Sequence, residues 1–196
     1  MDEKWLIVAL VAIVCLLVFG LGSTFLKNKQ IEKFALALNR KEYDLALKIC
    51  ESVLMKILFP AYNVAYMRLN VLLAQSDQKK IDAQFDTMLK AKLNSKQKED
   101  LSLKAFNYYI SIADYKKAKS MLDILDTCAG DNVKRETHIM YDIFALKKFD
   151  YISEMEKQFN EAKAEERNIL AYLLSVQYEN KKDTKKALEY KKIYKK

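Results

Sequence analysis

KEYDLALKICESVL, residues 41–54, recurs along the chain. ADYKKAKSMLDIL (113–125) and KDTKKALEYKKIY (182–194) follow the same order of turn, second-helix start and small residue, and KKIDAQFDTML (79–89) and KKFDYISEMEKQF (147–159) are weaker copies. Anchoring on Tyr43, Ile81, Tyr115, Phe149 and Thr184 gives steps of 38, 34, 34 and 35 residues, and three residues further on stand Ala46, Gln84, Ala118, Ile152 and Ala187. Around these anchors, apolar residues keep helical spacing from about Lys29 to the end. Short polar breaks at 39–42, 76–80, 113–114, 147–148 and 180–183 each separate two helices. The pattern predicts a row of about five helical hairpins. One such hairpin cannot bury its apolar face alone, so neighbours must stack.

Composition agrees with an all-α chain. The 196 residues include only three glycines and one proline, too few for the turns of a strand-rich fold or for a phosphate-cradling loop. Cys50 and Cys128 lie in apolar helical patterns without a CxxC pair, which reads as buried thiols and neither a disulfide framework nor a zinc site. Pro60 suits an early position in the third helix, Ser95 the start of another, and Gly130-Asp131-Asn132 a turn capped by Asp131 or Asn132.

The period near 34, with an aromatic at the start of the second helix and alanine three residues on, resembles the tetratricopeptide repeat family across residues 29–196. Tyr43 with Ala46, Tyr115 with Ala118, and the first-helix residues Tyr109 and Tyr178 carry the resemblance. The chain departs from the family at the small residue of the first helix, where Phe34, Leu72, Phe106, Met140 and Ser175 stand. The resemblance implies an α-solenoid whose first helices line a concave, partner-binding face. It puts Ala35, Leu73, Asn107, Tyr141 and Val176 at the inward positions, with Leu69, Leu103, Thr137 and Tyr172 a turn away and Tyr66 beyond. Tyr66, Leu69, Leu73, Asn107, Tyr141 and Tyr172 are therefore the expected partner-contacting residues. Asn bonds a peptide backbone in both directions, and Tyr offers area and a hydroxyl. The same tyrosines also suit packing between repeats. Asp100, Asn107 and Tyr141 stand where chaperone-binding members of the family hold a basic carboxylate clamp, so that activity is not expected.

Working outward to the start, Trp5 to Leu26 is an uncharged, apolar run of 22 residues, long enough for the roughly 30 Å hydrocarbon layer of a bilayer. The acidic start MDEK and the length of the run argue against a cleaved signal peptide. The expected organisation is a tail at 1–4, a transmembrane helix at 5–26 and a helical repeat domain at 27–196. Only Lys4 precedes the run, whereas Lys27, Lys29, Lys33, Arg40 and Lys41 follow it, which predicts a single-pass protein of the plasma membrane with a cytoplasmic domain. Lys-, Asn- and Ile-rich usage points to a bacterial source.

The net charge is +8, with lysines and acids interleaved, which speaks against a nucleic-acid surface. Anionic lipid heads would attract the lysines. His138 is the one histidine, with no metal partner set or nucleophile beside it in sequence, and Glu165-Glu166 are adjacent helical residues that point apart. No catalytic or metal motif occurs, so neither enzyme activity nor a cofactor or metal is expected. The expected function is a membrane-anchored scaffold or adaptor that takes a protein or peptide partner along its repeat array. The alternatives are an exported chaperone-like or structural subunit of an envelope complex, or a basic domain that binds anionic lipid.

Overall fold

A computed structural model describes residues 22–194. Regular structure among them is entirely helical: α1 (described over 22–39), α2 (Tyr43–Glu51), α3 (Val53–Leu58), α4 (Ala61–Gln75), α5 (Gln78–Leu89), α6 (Ser95–Ser111), α7 (Tyr115–Cys128), α8 (Asp131–Phe144), α9 (Ile152–Glu161), α10 (Ala164–Asn180) and α11 (Thr184–Tyr194). The chain divides into two compact units between Ala91 and Lys92.

The expected membrane-spanning element is corrected. No helix among the described residues is long and apolar enough to cross a membrane. Residues 22–26 of the apolar run belong to α1, which takes in Lys27, Lys29, Glu32 and Lys33 within the next two turns, so its described part is a charged helix. The remainder of the expected span, 5–21, and the tail before it lie outside the described residues. The all-α class stands, compatible with an α-solenoid, while no described helix supports the anchor or the single-pass membrane placement built on it.

Each hairpin turns through one left-handed residue. Among the described residues, five adopt left-handed backbone: Lys41 (φ 58°), Ser76 (59°), Ala113 (57°), Lys147 (57°) and Lys182 (65°). They recur at steps of 35, 37, 34 and 35 residues. At Lys41, Ala113 and Lys182 the N–H donates to the carbonyl three residues back, and the next N–H donates five back, at 2.9 to 3.1 Å. That is the Schellman closure of a helix C-terminus. The residue after the turn is then the N-cap of the second helix: Asp77, Asp114 and Asp183 accept from the N–H three residues on, at 3.1 to 3.2 Å. Left-handed backbone costs a non-glycine residue roughly 1–2 kcal/mol. Ala113 is exposed, so Ala113→Gly is expected to stabilise the chain by about 0.5–1 kcal/mol in chemical denaturation. A lowered midpoint would contradict the turn's geometry.

The turns also reset the repeat register. The second helix of hairpin two begins at Gln78, two residues past its left-handed turn, as Tyr43 and Tyr115 do in theirs. Ile81, not Gln84, therefore matches Ala46, Ala118, Ile152 and Ala187, and all five are buried. Gln84 instead reaches back to the Ala65 carbonyl at 3.2 Å.

In the first unit α2 packs on α4 and α4 on α5, around a core that includes Phe34, Ala37, Ala46, Cys50 and Val71. Within the repeat segment 41–54, the helix that starts at Tyr43 is broken at Ser52. Its hydroxyl donates to the Ile49 carbonyl at 2.8 Å and accepts from the Met55 N–H at 3.3 Å, ending α2 and capping α3. Pro60 caps α4 from just outside it. In the second unit α6 pairs with α7 and α10 with α11. Asn94, one residue before the expected Ser95, caps α6 through a capping box with Gln97. Gly130 occupies the N-cap of α8, which places Asp131 in the first turn.

Candidate functional site

The fourth hairpin breaks the pattern. At the cap position held by an acid in the other four stands Lys148. The second helix starts late there, at Ile152, and Phe149, the expected start, lies in an exposed connection. The small residue is missing as well: Ile152 stands where Ala118 and Ala187 let their hairpins close, and Met140 is its counterpart on the first helix. The backbones of α8 and α9 consequently stay apart. Helix α8 packs on α6, α7 and α10, whereas α9 packs on α10.

Three anchors hold α9 in this position. The buried Gln177 side chain of α10 accepts the Tyr151 N–H at 3.1 Å and faces the Met155 sulfur at 3.1 Å. Asn180 donates to the carbonyls of Ile143 and Lys148, at 2.9 and 3.1 Å, and fixes the connection. One residue on from Met155, Glu156 accepts from the hydroxyls of Tyr178 at 2.6 Å and Tyr190 at 3.1 Å, with the Lys186 ammonium 3.5 Å away. The connection itself is tied by Asp142, which accepts the Tyr151 hydroxyl at 2.6 Å and pairs with Lys148 at 3.0 Å. Burial opposes the charge of Asp142, but these two donors hold its carboxyl below the usual range.

These anchors make stability depend on pH at both ends. The Tyr178 hydroxyl holds the Glu156 carboxyl below its ordinary 4.5. Burial, then the hydrogen bond to Glu156, pushes the Tyr190 phenol up to about 12, and the bond to Asp142 does the same for Tyr151. A depressed carboxyl adds stability that is present above pH 4.5 and lost as pH falls through the folded value. A raised phenol adds stability that is present below its ordinary 10.0 and lost as pH climbs toward about 12. The denaturation midpoint is expected to fall on both sides of that plateau, and Tyr190→Phe to reduce the alkaline loss. An alkaline loss identical in the variant would remove Tyr190 from this role.

Between α8 and α9 opens a cleft of about 650 Å³. Its apolar lining comes from Leu103 of α6, Ile139 and Met140 of α8, Met155 of α9, and Leu170 and Leu173 of α10. Its rim carries Asn107, Arg135, Glu136, Glu154, Gln158 and Glu166, with Ile169 at the mouth, 62% exposed. Arg135 and Glu154 form an ion pair that links α8 to α9.

Of the six partner-contacting residues expected from sequence, Asn107 alone lines this cleft, together with Leu103 and Thr137, which were placed on the same face a turn away. Tyr141 is half-buried on α8. Tyr172 is partly exposed, with its ring stacked on Phe144 at 5.8 Å and edge-on to Tyr194 at 5.2 Å. Tyr66, Leu69 and Leu73 belong to the first unit. Tyr66 lies 5.8 Å from the Tyr62 ring and Leu73 is half-buried. Leu69 is fully buried in the core and has no surface to offer a partner. Sequence reasoning missed Glu136, Met140, Glu154 and Ile169 as site residues. The signal available was Lys148 in place of a cap acid.

His138 pairs with Asp126 at 2.8 Å, and among the described residues no three His, Cys, Asp or Glu side chains gather as a metal site. Burial raises the Cys50 thiol to about 11. No protein-family model, curated protein or solved structure matches the chain.

Proposed function

We propose that this chain is a protein-interaction scaffold of tetratricopeptide type, which binds a segment of a partner protein and carries out no reaction of its own. The observation that supports this most is the cleft between α8 and α9. It offers an apolar interior under a polar rim and an exposed isoleucine at its mouth, the composition expected of an anchor-binding interface. Helical-hairpin arrays serve as binding surfaces because each repeat contacts only its neighbours, so a change in one hairpin alters a local surface without unravelling the rest. The late start of α9 is such a change. Asn107 and Gln158 stand where a peptide backbone would need donors and acceptors.

Selection from a displayed random peptide library against the full chain tests the reading. Enriched peptides are expected to bind saturably and to lose at least tenfold in affinity with Ile169→Asp, a substitution at an exposed site that leaves helicity intact. Absence of any saturable peptide would reject the reading. Peptides indifferent to Ile169→Asp would move the interaction away from this cleft.

A further inference from the structure

We propose that the segment received by the α8–α9 cleft is basic and amphipathic, with apolar side chains seated in the interior and lysines or arginines on the rim. The inference rests on the scaffold reading above and names its partner class.

The rim charges carry the argument. Three carboxylates, Glu136, Glu154 and Glu166, face one guanidinium, Arg135. Arg135 is already paired with Glu154, while Glu136 and Glu166 enter no ion pair among the described residues. The cleft therefore holds two uncompensated negative charges on a chain whose net charge is +8. A local field opposite in sign to the whole molecule selects partners by charge. An acidic peptide would meet Glu136 and Glu166 with no free cation on the rim to receive it, and anionic lipid heads would meet the same carboxylates. A basic segment gains both contacts.

Shape adds a second constraint. The apolar side chains come from four helices and converge between two of them, so a helix or strand laid along the cleft can present side chains to Met140, Met155 and Leu173 together. Two of these are methionines, which adapt to differently shaped apolar partners. The Arg135–Glu154 pair crosses from one wall to the other with both side chains largely exposed. So exposed a pair contributes little, and a partner lysine can displace Arg135 from Glu154 without a large penalty.

The test uses fluorescence anisotropy with the full chain and three labelled synthetic peptides: a Leu/Lys amphipathic helix, its Leu/Glu counterpart and a Ser/Lys peptide. The Leu/Lys peptide is expected to bind saturably and at least tenfold more tightly than either of the others, and more weakly as salt is added. A Glu136→Lys/Glu166→Lys variant is expected to reverse the preference toward Leu/Glu. Both substitutions are at exposed positions, and circular dichroism checks that the fold is kept. Equal or tighter binding of Leu/Glu, an unchanged ranking in the charge-reversed variant, or no saturable binding of Leu/Lys would overturn the inference. So would Ile169-dependent sedimentation with phosphatidylserine vesicles, or self-association abolished by Ile169→Asp, since each assigns the cleft to another occupant. Library peptides that need Ile169 but are neutral or acidic would overturn the inference and leave the scaffold reading standing. A library that yields no binder removes both.

Discussion

Phe106→Ala is expected to destabilise the chain by about 3–5 kcal/mol, the range for emptying a fully buried aromatic site. The repeat resemblance alone points the other way. It assigns a small residue to this first-helix position, so alanine would restore the family's choice and should be neutral or favourable. The packing decides between the two. Phe106 has no exposed surface, and its equivalents Phe34 and Leu72 are also in the core, at 7% and 1% exposure. This chain puts volume on the first helix and, in hairpins one and three, keeps the small residue on the second, at Ala46 and Ala118. Phe34 and Ala46 share one core cluster, which is this exchange in the first hairpin. With the second helix already small, truncating Phe106 leaves a void that neither side can fill. Urea denaturation of the purified chain measures the loss. A change below about 1 kcal/mol would show that the site collapses freely, and that the volume exchange is not what holds α6 to α7.

This exchange also explains which features the sequence disclosed. Polar breaks and 3.6-residue periodicity gave the hairpins because both are local: the left-handed turn residue and the cap acid after it are set by neighbouring backbone groups. The register of hairpin two was misread because Ile81 was matched by its apolar character to Tyr43, when its burial matches Ala46. The break at Ser52 was hidden because serine competes with helix only through hydrogen bonds that depend on the chain's actual path. The N-terminal run was read by length and hydropathy across 5–26, yet its described end is continuous with the charged helix α1. The cleft was the least legible feature. It is created by the absence of two local devices at once, a cap acid at Lys148 and a small residue at Ile152, and then by long-range anchors from α10 and α11. Hairpin two lacks the small residue too, at Ile81, but retains its cap at Asp77, and α4 and α5 do pack together. Rules for a regular array put the expected contacts on the first helices, so Asn107 was found and the α9 wall was not.

Gln177→Leu is expected to destabilise the second unit by about 1–3 kcal/mol, the cost of leaving a desolvated backbone donor without its acceptor. Leucine is close to glutamine in volume, so packing is largely conserved and the effect isolates the amide. In the folded chain that amide is fully buried, and its oxygen accepts the Tyr151 N–H at 3.1 Å. Tyr151 is the N-cap of a helix that has no side-chain cap of its own. The bond from Gln177 therefore satisfies, from another helix, the N-cap N–H, the donor that Gln97 satisfies within its own helix in the capping box of α6. Its loss should be felt first in the connection and the first turn of α9, because Asn180 and Glu156 still hold the flanking segments. Amide hydrogen exchange is expected to accelerate across 147–155 and to change little in α6 and α7. Binding of any peptide that occupies the cleft should weaken in parallel, since Met155, which touches Gln177, lines it. Uniformly faster exchange through the whole second unit would mean that Gln177 supports the core in general. Unchanged exchange at 147–155 would mean that Tyr151 is held by Asp142 alone, and that the cleft's α9 wall is fixed without the buried amide.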